Sequence, residues 1–332
     1  MRRLDKCGFC GGSRLTRKLA APEQLLRRGE TFDILACGDC GFLMTSPQPE
    51  PAELGVYYPE TYSPYETNWK GPLFPLGKEF KNALKKEMFR LWYGYFGGPK
   101  GGLLEAVKKL FLMPLRNVFL VPPPCRPGGR LLDAGCGAGV YLAFTRDLGW
   151  SVLGLEYSAQ AARRAAGQFH VEIVPTTFEK FETTEKFDVI TFWHVLEHFQ
   201  DPFIVLDKAA MLLKPGGMIL LGVPNPAGWE CRLFGKRWLS WEVPRHYWHF
   251  TPETLEKAAR RSGLRVAHLQ FDMTTVDAVI SMQSLLRDWG LEALNRIGWI
   301  WSLLDYLLRP VSWLSGWLGV SSRMVARLEP AS

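Results

Sequence analysis

Leu131-Leu132-Asp133-Ala134 is a short apolar run carrying one carboxylate, and Gly135-Cys136-Gly137-Ala138-Gly139 follows with glycine at every second position. An apolar run too short for periodicity, then glycines, then an apolar-patterned segment read as strand, tight turn and helix. Glycines let the backbone take positive φ and let a ligand approach without a Cβ in the way. In an open α/β sheet the crevice at the carboxyl end of the first strand is where a nucleotide-like ligand sits. A dinucleotide fingerprint would be G-x-G-x-x-G. Here the register is G-x-G-x-G, and Val140 and Leu142 stand where a further spaced glycine would fall.

Three later stretches keep the order of an alternating α/β sheet. Ser151-Val152-Leu153-Gly154-Leu155-Glu156 reads as a second strand ending in a carboxylate that can accept hydrogen bonds from the two hydroxyls of a ribose. Phe187 to His194 reads as another buried strand, and Leu213-Lys214-Pro215-Gly216-Gly217 followed by Met218 to Leu221 as a helix end, a turn and a strand. From Arg130 to Leu328 this ordered set resembles the class I S-adenosylmethionine-dependent methyltransferases. The resemblance implies a Rossmann-like seven-stranded α/β sheet over residues 128–332, closed by a hairpin whose last strand, Ser322 to Leu328, inserts antiparallel. It implies that Asp133, Gly135, Cys136, Gly137 and Gly139 hold the methionine end of the cofactor and Glu156 its ribose. It also implies that Thr177, Phe178 and Trp193 border the same site.

The strand ending at Trp193 delivers His194-Val195-Leu196-Glu197-His198. On a helical turn His194, Glu197 and His198 would share a face. Three readings stay open: Glu197 caps and His198 packs; His194 is the general base for a hydroxyl nucleophile; or the three bind a divalent metal. Ubiquinone-type O-methyltransferases and small-RNA 2′-O-methyltransferases carry a similar E-x-x-E-H, with glutamate where this chain has His194. The Asp/Asn-Pro-Pro-aromatic motif of amide- and base-directed N-methyltransferases is absent, which disfavours nucleobase chemistry. A long Trp-, Arg- and His-rich loop, Pro224 to Phe250, offers Arg245 and His246 for substrate contact, with His246 as a second candidate base. After it, Thr251-Pro252-Glu253 starts a helix with proline at its first position.

At the amino terminus, Cys7-x-x-Cys10 and Cys37-x-x-Cys40 are two knuckles with 26 residues between them. Four thiolates satisfy tetrahedral zinc, so residues 1–50 read as a small zinc ribbon with a β-hairpin arm from Arg17 to Leu35. A module that small needs its metal to fold. The other cysteines, Cys125, Cys136 and Cys231, are scattered, and the start of the chain lacks the apolar core of a signal peptide, so a cytoplasmic location is expected.

Residues 51–127 read as a linker, beginning with a tyrosine-rich stretch (Tyr57, Tyr58, Tyr62), followed by two basic amphipathic helices. Of a net charge of +7, nearly all lies between Lys78 and Leu120, where nine Lys or Arg stand against three Glu. Either these helices cap the catalytic domain or, with a Trp- and Leu-rich insert at 275–319, they lie on an anionic membrane surface through helices 78–119 and 285–318. The chain thus reads as a methyltransferase acting on a hydroxyl of a small-molecule, sugar or lipid-linked acceptor, with nucleic acid disfavoured as a partner. The rival reading is a non-catalytic zinc-ribbon binding protein, for nucleic acid or protein, on a methyltransferase-like fold.

Overall fold

The computed structural model describes residues 1–58, 78–113 and 120–331. Tyr62, the expected kink at Pro114 and the continuation through Leu115, Arg116, Val118 and Phe119 lie outside these residues. In chain order the elements are β1 (Leu15–Pro22), β2 (Thr31–Cys37), β3 (Leu43–Ser46), α1 (Pro51–Leu54), α2 (Lys78–Tyr93) and α3 (Leu103–Leu112). Then come β4 (Arg130–Ala134), α4 (Val140–Asp147), β5 (Ser151–Leu155), α5 (Ala159–Phe169), β6 (Glu172–Val174), β7 (Phe187–Trp193), α6 (Pro202–Leu212) and β8 (Leu213–Pro224). The last are α7 (Trp229–Phe234), β9 (Trp248–His249), α8 (Pro252–Arg261), β10 (Leu264–Phe271), α9 (Val276–Asp288), α10 (Gly298–Trp317) and β11 (Arg323–Pro330).

The larger sheet has seven strands in the order β10-β11-β8-β7-β4-β5-β6. β4 runs parallel to β5 and β7, β5 parallel to β6, and β10 antiparallel to β11. This is the Rossmann-like α/β sheet that the order of motifs implies. A second sheet, β1-β2-β3-β9, is antiparallel throughout. Contacts divide the chain into two compact units, one of Thr61–Phe192 and Leu212–Leu220, the other of Met1–Glu60, Trp193–Met211 and Leu221–Ser332.

In the first unit, Leu131, Leu132 and Ala134 of β4 and Phe187, Ile190 and Phe192 of β7 are fully buried. Such near-continuous apolar strands belong to a parallel sheet covered on both faces. Asp188 is the charged exception, and it is held: Arg126 Nη1 donates at 2.6 Å, Lys214 Nζ at 2.7 Å and the Arg130 N–H at 2.7 Å. α6 stops at Leu212 and β8 spans Leu213–Pro224, and the turn expected at Lys214-Pro215-Gly216-Gly217 survives within that strand as a left-handed step at Gly216, φ 71. Gly217 sits too close to its neighbours for a side chain: a Cβ there would lie 2.9 Å from the Lys214 carbonyl oxygen and 3.1 and 3.2 Å from those of Phe187 and Asp188.

The two basic helices have different fates. α2 buries Met88, Phe89 and Leu91, and Phe89 packs 5.7 Å from Phe144 of α4. Just beyond it Tyr95 donates to the Pro123 carbonyl and accepts from Trp150 Nε1 at 2.7 Å. α2 and the residues after it thus pack against α4 and its neighbours in the first unit. α3 buries no residue and leaves Leu103, Leu104, Leu110 and Phe111 exposed.

In the second unit, Phe32, Ile34 and Leu43 of the smaller sheet share one core with Phe234, Trp238, Trp241 and Val243. The aromatic loop thereby packs on the ribbon's hairpin, and its β9 adds a strand beside β3. α8 starts as its sequence predicts: the Thr251 side chain accepts from the Thr254 N–H, and Pro252 occupies the first turn. β10 covers Leu264–Phe271, and the closing strand β11 pairs with it antiparallel, as the resemblance implies. No described helix is long and apolar enough to cross a membrane.

Candidate active site

The first unit holds the glycine turn between two carboxylates. Asp133 of β4 faces its register partner Thr191 of β7, whose Oγ1 donates to Asp133 Oδ1 at 2.6 Å. Burial raises the Asp133 pKa, the Thr191 bond lowers it and the charge of Glu156 raises it again, leaving the carboxyl pushed up to about 7. Glu156, directly after β5, is 4% exposed. Its Oε2 accepts from the Gly137 N–H at 2.9 Å and its Oε1 from the Ser158 N–H at 2.8 Å. The Cys136 N–H donates to the Leu155 carbonyl at 2.9 Å, so the turn is tied to the end of β5 twice. Burial pushes Glu156 up, and its backbone hydrogen bonds oppose that. A carboxylate has about four acceptor positions, so two remain for another donor.

Small residues are required where the turn meets its neighbours. Gly139 starts α4 at φ 74, and a Cβ there would lie 3.0 Å from that of Ala165. A Cβ on Gly154 would lie 2.5 Å from Leu142 Cδ1 and 2.8 Å from Cys136 Sγ. Gly135, Cys136 and Gly137 occupy the turn itself. Thr177 is half-buried. Phe178 is 2% exposed and packs edge-on against Phe192 at 5.1 Å, so its ring belongs to the core.

The second unit holds a cluster of imidazoles around one carboxylate. His194 follows directly on β7 with φ 56, a conformation that costs a non-glycine residue. Its N–H donates to the Gly222 carbonyl at 2.9 Å, and its Nδ1 lies 3.6 Å from Glu197 Oε1. A Cβ on Gly222 would lie 3.0 Å from the ring of Trp193, the residue before it. Glu197 is completely buried, and neither carboxylate oxygen has a hydrogen-bond partner. Burial alone would raise its pKa, but His194, His246 and His198 together hold it below the usual carboxylate range. His198 Nδ1 lies 2.9 Å from the Tyr58 hydroxyl and 3.1 Å from the Arg245 carbonyl. Burial, then the charge of His246, pushes His198 down to about 4. His246 sits T-shaped on His198 with ring centroids 4.5 Å apart, its Nδ1 3.0 Å from the Ser240 carbonyl.

The shared helical face expected for His194, Glu197 and His198 does not form. Leu196–His198 is a tight 3₁₀ turn, and the left-handed backbone at His194 sets that residue apart from it. Among the described residues the compact group is instead Glu197, His198 and His246, whose ligand atoms lie within 4.8 Å of one another. Arg245, expected at the substrate, is fully buried: it donates to Glu242 from Nε at 3.0 Å, to the Tyr57 carbonyl at 3.2 Å and to Glu23 at 3.1 Å. Its guanidinium is a packing clamp. Sequence reasoning missed Thr191, Tyr58 and Glu242. A β-strand threonine opposite an acidic residue is a findable signal for Thr191, whereas nothing local marks the other two.

The four knuckle cysteines also converge, with all Sγ atoms within 4.8 Å of one another. Cys7 and Cys40 are 3.5 Å apart and Cys10 and Cys37 3.6 Å. Tetrahedral Zn–S bonds of ~2.3 Å put sulfurs ~3.8 Å apart, so the set fits one zinc ion. Phe42, two residues after Cys40, meets Phe9 at a tilt and Phe203, Trp248 and Phe250 edge-on, which anchors the knuckles to an aromatic cluster.

A family model described as a methyltransferase domain matches residues 107–269. The ubiquinone biosynthesis O-methyltransferase of Bradyrhizobium sp. is 36% identical over 184 residues, covering 48% of this chain and 71% of that protein. The enzyme of the same name from Nitrobacter winogradskyi is 38% identical over 159 residues, 43% of this chain and 59% of that one. This chain therefore belongs to the class I S-adenosylmethionine-dependent methyltransferases. The match to the Nitrobacter winogradskyi and Rhodopseudomonas palustris relatives spans about three fifths of their length. Among solved structures, an S-adenosylmethionine-dependent methyltransferase from Mesorhizobium loti is 19% identical, with TM-score 0.40 over 61% of this chain and 91% of that one.

Proposed function

We propose that the chain transfers a methyl group from S-adenosylmethionine to a hydroxyl oxygen of its acceptor. The observation that carries this is the Glu156–Gly137 hydrogen bond. It sets a carboxylate with spare acceptor capacity against a glycine turn whose other side is Asp133. In this reading Glu156 accepts from the ribose hydroxyls, Asp133 faces the ammonium and sulfonium charges, and Gly135 and Gly137 leave room for the methionine end. Oxygen as the acceptor follows the names of the relatives, which are O-methyltransferases.

The chemistry is an in-line displacement. The acceptor oxygen bonds to the methyl carbon, the carbon–sulfur bond breaks with its electron pair going to sulfur, and the hydroxyl proton passes to a base. His194 is the base in this proposal: its side chain is 39% exposed and its Nδ1 lies 3.6 Å from the buried Glu197 Oε1. The cysteines hold structural zinc, with no part in the reaction. Calorimetry with S-adenosylmethionine on wild type and Glu156→Ala tests the reading; wild type that releases no heat of binding sinks it.

The membrane contact proposed for the insert rests on α10. Its exposed residues include Trp299, Leu303, Tyr306, Leu307, Val311, Leu314 and Trp317, and none is charged. Tryptophan and tyrosine on an apolar face suit the interface of a bilayer, and with it a lipid-linked acceptor. Sedimentation with phosphatidylcholine vesicles tests this: wild type should pellet with them, a Leu303→Ser/Leu307→Ser double variant should not, and equal recovery would contradict it.

A further inference from the structure

We infer that Arg323 and Asp272 are the recognition pair for the acceptor, and that they take a neutral, saturated ring with adjacent hydroxyls, as in a glycoside. The inference rests on the proposed methyl transfer only in placing the acceptor beside His194.

The second unit brings these residues to one row. The His194 N–H donates to the Gly222 carbonyl of β8 at 2.9 Å, and a Cβ on Gly222 would lie 3.9 Å from His194 Nε2. Directly after β8, the Asn225 N–H donates to the Ser322 carbonyl at 2.6 Å. Arg323 then starts β11, and its own carbonyl accepts from the Asp272 N–H, just past the end of β10, at 3.0 Å. Burial raises the Asp272 carboxyl and the charges of Arg323 and His194 oppose that, so the three groups lie within electrostatic reach of one another.

Asp277 fixes the guanidinium and leaves its outer edge open. This carboxylate is completely buried in the first turn of α9; its Oδ2 accepts from Arg323 Nε at 2.6 Å and its Oδ1 from the Ser240 hydroxyl. Asp277 is thus a positioning residue for Arg323. Among the described residues Arg323 Nη1 and Nη2 have no hydrogen-bond partner, and the side chain is 23% exposed. Asp272 Oδ1 accepts from the Met273 N–H at 2.7 Å, and among the described residues its other oxygen is unengaged. A fork of donors therefore stands beside one open acceptor.

That combination selects the ligand. A hydroxyl both accepts and donates, so one hydroxyl of an adjacent pair accepts from Arg323 while its neighbour donates to Asp272. A saturated ring with several hydroxyls offers two to the pair besides the one that meets His194, whereas a catechol has one left over. A carboxylate or phosphate would suit the guanidinium fork alone. Here burial lowers the Arg323 pKa and the charges of Asp277, Asp272 and Glu242 outweigh it, so the guanidinium already faces three acidic groups that oppose a further anion. An acceptor lacking the recognised hydroxyls leaves the pair unsatisfied, which makes the site selective.

The test is saturation-transfer nuclear magnetic resonance on the full-length protein with methyl α-D-glucopyranoside, methyl α-D-galactopyranoside and methyl α-L-rhamnopyranoside. Wild type is expected to bind at least one of them at millimolar ligand, and more tightly than catechol or glucose 6-phosphate. Asp272→Asn and Arg323→Lys should each weaken that binding about tenfold or more, with zinc content and S-adenosylhomocysteine affinity unchanged. Arg323→Lys keeps a cation beside the buried Asp277, so the fold is retained while the planar donor fork is lost. Titrations run with and without S-adenosylhomocysteine: a wild type that fails to bind the cofactor product counts against methyl transfer, and the glycoside result is read separately. Absence of binding to all three glycosides, a preference for catechol or glucose 6-phosphate, or undiminished binding in both variants would each overturn the recognition pair.

Discussion

Glu156 Oε2 accepts from the backbone N–H of Gly137 at 2.9 Å, so the residue proposed to hold the ribose also holds the glycine turn. Glu156→Ala removes that bond, the one from Ser158 and both free acceptor positions. With hydrogen bonds to a charged group contributing about 1.5–3 kcal/mol each, loss of the two to the ribose should lower S-adenosylmethionine affinity by a factor of about 10² to 10⁴. Glu156→Gln, which keeps one acceptor oxygen, should lose less. Calorimetric Kd values in that order support the double role; equal losses would leave only the structural one.

In the proposed site Asp133 would link cofactor binding to pH. Its carboxyl is pushed up to about 7 in the free chain, chiefly by burial, so it is largely protonated below neutrality. A cationic ligand favours the ionised form, so binding should release a proton. Affinity is expected to rise from pH 6 to pH 8, with fractional proton release near pH 7 measurable by calorimetry in buffers of different ionisation enthalpy. Folding has the opposite sign: a carboxyl raised in the folded state stabilises it at low pH, and this contribution is lost as pH rises through about 7. A pH-independent Kd would remove Asp133 from the cofactor's charged end.

The Asp188 carboxylate makes the reverse prediction. Burial raises it, but the Arg130 N–H, Lys214 and Arg126 outweigh that and hold it below its ordinary value. Its stabilisation is fully present above the unfolded carboxylate range and is lost as pH falls through the depressed value. Asp188→Asn should cost about 1–3 kcal/mol in urea denaturation at pH 7, with the difference from wild type shrinking in acid.

Zinc removal should reach beyond the knuckles. A Cβ on Gly8 would lie 3.0 Å from Trp248, and Phe42 and Trp248 are 5.7 Å apart, so the knuckles and the aromatic loop share packing. Cys40→Ser should abolish stoichiometric zinc and alter the near-ultraviolet circular dichroism of the buried tryptophans. An unchanged tryptophan spectrum would mean that the knuckles fold separately from that loop.

His194 as general base predicts a loss confined to chemistry. His194→Ala should lower kcat by about 10²–10⁴ while the Kd for S-adenosylmethionine stays within a few-fold. Stopped turnover with acceptor and quantification of S-adenosylhomocysteine separate these; an unchanged kcat would pass the role to another group.

Features that depend on neighbours in the chain are legible in the sequence. The helix start at Thr251-Pro252, the paired knuckles and the hairpin between them all follow from local pattern, and all are present. What stayed hidden depends on contacts distant in sequence. His246 reaches Glu197 across 49 residues, and Arg245 reaches Glu23 across 222, so neither partner is marked by spacing. The helical periodicity of Lys78 to Tyr95 was visible, but whether that face met a protein or a lipid depended on Phe144, Pro123 and Trp150. At His194 the i, i+3, i+4 spacing found the contact with Glu197, 3.6 Å away, but not a face shared with His198, because the backbone there is left-handed rather than helical.

The central claim is a sulfonium cofactor site at the glycine turn. Isothermal calorimetry of the full-length chain with S-adenosylmethionine addresses it directly. The account predicts one site per chain, competed by S-adenosylhomocysteine and indifferent to NAD. Absence of binding by wild type, or a preference for the dinucleotide, would contradict it.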